Sequence, residues 1–166
     1  MKKTKRIYFG ASKGKSFIST IIRWVQWGDK HTHIFFMYEP KENPLVIEAW
    51  HEPILKGGAV RRGLFFTDEK LHTPHTEFDT YYMDVTEEDY AVFLNFLESK
   101  LGMQYDMMGI VGFATHSSKT HSLHKYFCSE LMFEALQSIG INLLIDTLPQ
   151  TVSPSLFVKS PLLHKL

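Results

Sequence analysis

The sequence predicts an α+β fold, and three stretches carry that prediction. Two β-prone runs, His33 to Glu39 and Leu45 to Trp50, flank a Pro40-Lys41-Glu42-Asn43-Pro44 break and read as an antiparallel hairpin. Tyr90, Phe93, Leu94, Leu97 and Leu101 recur at helical spacing before Gly102, and so do Leu131, Met132, Ala135, Leu136 and Ile139 before Gly140. With 166 residues the chain fits one domain over 1–166, which buries roughly 70% of the surface its unfolded form exposes. Hydrophobic residues make up 44% and thirteen are Phe, so an ordered aromatic core is expected.

In chain order, Arg6 to Phe9 reads as a short strand and Gly10 to Lys15 as a turn, with Ser16 a helix N-cap. Ile18, Ile21, Ile22, Trp24 and Val25 mark a helix from Phe17 towards Gly28. The hairpin follows, then Gly57-Gly58 breaks the chain before a strand at Ala59 to Phe66. Thr67 to Glu77 is polar and reads as a loop, and Phe78 to Val85 as a strand. Thr86 caps the next helix. Met103 to Lys125 shows no period, and so long a connection inside a domain is often functional. Beyond Gly140, Pro149, Pro154 and Pro161 among scattered leucines predict an extended tail over the body.

Charge narrows the partners. Eighteen Lys and Arg offset eighteen Asp and Glu, which argues against a nucleic-acid or anionic-membrane surface. The basic start at Lys2, Lys3, Lys5 and Arg6 is not followed by the apolar core of a signal peptide, and no run approaches the roughly 20 apolar residues of a membrane span. A cytoplasmic protein is expected, whose single cysteine forms no internal disulfide.

That cysteine, Cys128 in Lys125-Tyr126-Phe127-Cys128-Ser129-Glu130-Leu131-Met132, falls in or just before the first turn of the last predicted helix. The unpartnered N–H groups and the positive end of the dipole there favour a thiolate and could later hold an oxyanion. A nucleophilic cysteine needs a base, and the base needs an orienting group. Of nine histidines, His33 is best placed, because it opens a strand at Thr32-His33-Ile34-Phe35-Phe36; His31 shares its parity and rivals it. Glu48, inside Leu45-Val46-Ile47-Glu48-Ala49-Trp50, would be costly to bury without a partner. With Pro40 to Asn43 as the loop, Phe35 faces Glu48, and Glu48 lies diagonal to His33 at about 7 to 8 Å between backbones. A one-residue slip would bring His51 opposite His33 instead.

A Thr-His pair on a strand, Val46-Ile47-Glu48-Ala49 on the next, then Leu101-Gly102-Met103-Gln104-Tyr105-Asp106 and finally Tyr126-Phe127-Cys128-Ser129-Glu130-Leu131 resemble the circularly permuted papain-like amidases, relatives of the NlpC-type cell-wall endopeptidases. Lys15-Ser16-Phe17-Ile18-Ser19 and Val152-Ser153-Pro154-Ser155-Leu156 share the likeness, which spans most of the chain. The resemblance implies a papain-like α+β fold, an antiparallel sheet or small barrel packed against the cysteine helix. It implies Cys128 as nucleophile, His33 as general base and then acid, and Glu48 as the residue holding the imidazole, in a cysteine amidase or peptidase acting without a cofactor on a peptide or amide, with a cell-wall peptide or an acyl chain both compatible. Tyr105 and Asp106 match a Tyr-Asp pair of the family. The His-rich insert Thr115 to Lys125 does not match, and the Asn-Cys-Glu-His sequence of lipid-modifying acyltransferases is absent, which ranks acyl transfer below hydrolysis.

Three other readings compete. Gly10-Ala11-Ser12-Lys13-Gly14-Lys15-Ser16 falls one residue short of a phosphate-binding P-loop. His121, His124 and Cys128, with His116 nearby, outline a zinc site without matching a zinc signature. A non-catalytic module could use Trp24, Trp27 and Trp50 to bind a peptide or lipid, although such aromatics more simply fill a core.

Overall fold

A computed structural model describes residues 3–14, 17–26, 29–51, 58–66, 76–106 and 125–166. It shows an α+β molecule built on one curled, mixed sheet of eight strands. In chain order these are β1 (Thr4–Ser12), β2 (His33–Met37), β3 (Leu45–His51), β4 (Gly58–Leu64), β5 (Phe78–Thr86), β6 (Gln104–Tyr105), β7 (Lys125–Tyr126) and β8 (His164–Lys165). Their spatial order is β7-β6-β4-β3-β2-β1-β5-β8. All neighbours are antiparallel except β6 and β7, so the sheet is mixed at one edge, and among the described residues β7 and β8 are its two edges. Among the described residues the α-helices are α1 (Phe17–Val25), α2 (Glu87–Ser99), α3 (Cys128–Gln137) and a single turn, α4 (Pro154–Phe157).

The hairpin takes the predicted register. Phe36 pairs with Ile47 and Met37 with Val46, which by continuation sets Phe35 opposite Glu48 and rules out the slip towards His51. Residues 34–37 are apolar without alternation because β2 is covered on both faces. Ile34 and Phe36 join the main core with Ile7, Phe9 and residues of α2 and α3, whereas Phe35 and Met37 join Val46 and Phe65 in a second cluster.

Around this frame several expectations need correction. The first strand runs on through Ser12, where a turn was expected, because β1 is central and pairs with β2 on one side and β5 on the other. Gly10 sits within it, opposite Phe35, and a Cβ there would lie 2.1 Å from Cζ of the Phe35 ring, so the glycine serves close packing. This also removes the phosphate-loop reading, since Gly10 to Ser12 are strand residues. The two-residue strands β6 and β7 had no sequence period to reveal them. The tail is more structured than expected: Ser153 caps α4, and β8 pairs with β5. Trp24 is 85% exposed and fills no core.

Other expectations match. The Thr86 hydroxyl accepts the Asp89 N–H at 3.1 Å at the start of α2, whose buried residues are Tyr90, Phe93 and Leu97. Gly102 and Gly140 take positive φ after α2 and α3, where a side chain would be strained. Ser16, Trp27, the side chain of His51 and residues 107–124, which hold most of the His-rich insert, lie outside the described residues. Among the described residues no helix is long and apolar enough to cross a membrane.

Candidate active site

Cys128 is the first residue of α3, buried to 1% exposure. The start of this helix is fixed on two sides: Phe127 N–H donates to the Glu130 carboxylate at 3.3 Å, and the Ser129 hydroxyl donates to the Val152 carbonyl at 2.5 Å. The second bond ties the helix of Cys128 to the tail. Leu131, Met132, Ala135 and Leu136 then anchor α3 in the core.

His33 opens β2 and is held by the residues before it. Thr32 N–H donates to the Ser12 carbonyl at 2.9 Å, and the His31 carbonyl accepts both Gln26 Nε2, at 3.0 Å, and the Ser155 hydroxyl, at 3.2 Å. Gln26, just past α1, also accepts Ser155 N–H through Oε1 at 3.0 Å, so α1, the histidine strand and α4 are clamped together. The imidazole stacks on Phe35, with ring centres 5.8 Å apart, and meets Trp50 edge-on at 6.0 Å.

His33 Nε2 lies 2.5 Å from Oε2 of the fully buried Glu48. The Cys128 sulfur is near enough for its charge to act on the same ring. Burial pushes the imidazolium down, but the negative charge and hydrogen bond of Cys128, then those of Glu48, outweigh it and raise the His33 pKa to about 10. The three residues that the resemblance singled out therefore share one site, the imidazole hydrogen-bonded to the carboxylate and within electrostatic reach of the sulfur.

The sequence reading missed Arg61. It stands directly opposite Glu48 on β4 and donates two hydrogen bonds to Oε1, from Nε at 2.9 Å and Nη2 at 2.6 Å. Its guanidinium also lies 4.8 Å from the centre of the Trp50 ring. A usable signal was present: a buried strand glutamate requires a partner, and Arg61 stands in the next predicted strand. Turn rules do not fix the register across a connection as long as 52–57.

The rival histidine points elsewhere. His31 Nε2 lies 2.7 Å from Asp79 Oδ2, and Asp79 also meets Lys13 at 3.4 Å and Lys165 at 3.2 Å. Tyr105 and Asp106 are buried near the start of α3, and Asp106 N–H donates to the Tyr126 carbonyl at 2.9 Å. Burial and the nearby charges of Cys128 and Asp106 hold the Tyr105 hydroxyl protonated well above the usual range. Burial likewise raises Glu130 to about 8 against the bond from Phe127, with Glu134 and Asp106 adding to the rise. Among the described residues no group of three or more His, Cys, Asp or Glu is arranged to hold a metal ion. His116, His121 and His124 of the zinc reading lie outside them.

No family model and no curated protein matches the chain. Among solved structures it is similar to the crystal structure of the metalloprotein yiiX (DUF1105) from Escherichia coli O157:H7, with a TM-score of 0.61 and 16% identity over 99% of this chain and 96% of that one. Identity at this level shows a shared fold and nothing finer. The expected membership among the circularly permuted papain-like amidases and their NlpC-type relatives is corrected accordingly: the comparisons lead to the yiiX structure and give that family no support.

Proposed function

We propose that the protein is a cysteine hydrolase that cleaves an amide or peptide bond, with the helix of Cys128 and the strands of His33 and Glu48 in a papain-like arrangement. The observation that carries this reading is the placement of the His33 ring between Cys128 and Glu48. Nδ1 takes the thiol proton, and the sulfur attacks the substrate carbonyl carbon. First-turn N–H groups of α3 face the resulting oxyanion. Collapse breaks the C–N bond as His33 returns the proton to the leaving amine, giving a thioester on Cys128. Water, deprotonated by His33, then releases the carboxylate product and restores the thiol. Glu48 keeps Nε2 protonated and so presents Nδ1 to the sulfur. No step requires a cofactor. The balance of eighteen basic and eighteen acidic residues fits a peptide or amide substrate better than nucleic acid.

The test is the rate of Cys128 alkylation by iodoacetamide at pH 7, followed by intact mass. His33→Ala should slow it at least roughly tenfold by removing the charge partner of the sulfur. Equal rates in the two proteins would sink the reading.

Metal binding is the second reading, favoured by the description of the yiiX protein as a metalloprotein. Elemental analysis of the purified chain decides it: stoichiometric zinc that disappears in Cys128→Ser would replace the hydrolase with a metal site.

A further inference from the structure

Arg61 is not needed to write the reaction, yet it reaches the imidazole by two routes. Its fork closes on Glu48 Oε1 while Oε2 of the same carboxylate takes His33 Nε2. Its cationic face lies on Trp50, whose ring meets the imidazole at 84°. Two of the neighbours that fix the ring's tilt and rotation, Glu48 and Trp50, are thus held by one side chain, while Phe35 stacks on the ring separately. The backbone supports the same geometry, since Glu48 and Arg61 are directly paired across β3 and β4 and Trp50 is two residues along the same face.

We propose that Arg61 is the positioning residue of this site, setting the orientation of the His33 imidazole and keeping Glu48 an acceptor at Nε2. The proposal rests on the hydrolase reading, because it assigns Arg61 a role through His33. Chemically, Arg61 offsets the charge of a carboxylate that has no water around it, so the site holds two cations and two anions once the sulfur is ionised. A protonated or rotated Glu48 would donate to the ring or leave it, and the imidazole would turn its Nδ1 from the sulfur. A guanidinium suits this task better than an ammonium, because one planar group makes both N–H bonds to a single oxygen and still stacks on indole.

Three readouts separate this role from simple support of the fold. Arg61→Lys, which keeps the charge and loses the fork, should alkylate at Cys128 roughly tenfold more slowly than the native chain, and Arg61→Ala more slowly still. Added guanidinium at millimolar concentration should restore the Arg61→Ala rate but not that of His33→Ala. In proton NMR, the downfield resonance of the His33 Nε2 proton should move or broaden in Arg61→Lys while the amide spectrum stays folded. Because an unbalanced Glu48 could unfold Arg61→Ala, Glu48→Gln with Arg61→Met removes both charges, and Arg61→Met should then add almost nothing to the effect of Glu48→Gln. Native rates in Arg61→Lys, or effects of the two substitutions that simply add, would overturn the role of Arg61. If instead His33→Ala alkylates like the native chain, the hydrolase reading itself fails, whatever Arg61 does.

Discussion

Two histidines stand two residues apart at the start of one strand, each against a carboxylate, and the protein treats them differently. His33 meets a glutamate of 0% exposure in the middle of a strand, whereas His31 meets Asp79, whose side chain is 20% exposed and also faces Lys13 and Lys165. His33 also meets a sulfur. The same chemical pair joins a partly buried network with two lysines in one place and is the centre of a candidate active site in the other. Burial and a third partner make the difference, and neither is a property of the His-carboxylate motif itself.

The largest expected effect that sharpens this contrast is on stability. Glu48→Gln strips the charge partner from Arg61 in a buried setting and should cost about 3 to 5 kcal/mol. Asp79→Asn, in its partly solvated network, should cost at most about 1 kcal/mol. Urea unfolding of both variants checks the pair, and equal losses would mean that burial does not separate the two sites.

Next come the pH slopes at neutral and alkaline pH. The folded-state pKa of His33 is raised to about 10 from 6.5, so its contribution is fully present below pH 6.5 and is lost as pH rises through 10. Glu130 is raised to about 8 from 4.5, so the folded chain holds a proton that the unfolded chain has released, and stability falls between those values. His33→Gln should flatten unfolding free energy across pH 6.5 to 10, and Glu130→Gln across pH 4.5 to 8. Unchanged slopes would contradict the assignments.

The smallest effect is at the acid end. Asp79 lies at about 2, below its usual 3.8; burial opposes this, but His31, Lys165 and Lys13 hold it down. Its contribution is present above pH 3.8 and fades as pH falls through 2. Asp79→Asn should therefore lose a small acid-side slope while the alkaline limb set by His33 stays unchanged.

Much of the site was legible because its residue types are out of place in their local pattern. Glu48 interrupts an apolar strand, and Cys128 follows a β-prone Tyr126-Phe127 pair and opens a helical period. The register of the first hairpin could be set by its short proline-bounded loop, and it placed Glu48 diagonal to His33 as found. Gly10 was misread because it opens the glycine- and lysine-bearing run Gly10 to Lys15, which signals a turn locally, while Phe35, reached only through sheet pairing, needs the space of the missing side chain. Arg61 stayed hidden because its meaning comes from a strand pairing across a longer connection.

The sequence by itself determined the α+β class, the helix capped by Thr86, the helix that opens near Cys128, and the histidine, glutamate and cysteine worth watching. Caps, periods and buried charges are local in the chain, so they can be read along it. Tertiary structure alone decided which histidine lies near the cysteine, that Arg61 clamps Glu48, and that the tail is bonded to the cysteine helix through Ser129 and Val152. Those contacts join residues far apart in the chain, and only the packing of the sheet against α3 brings them within hydrogen-bond reach.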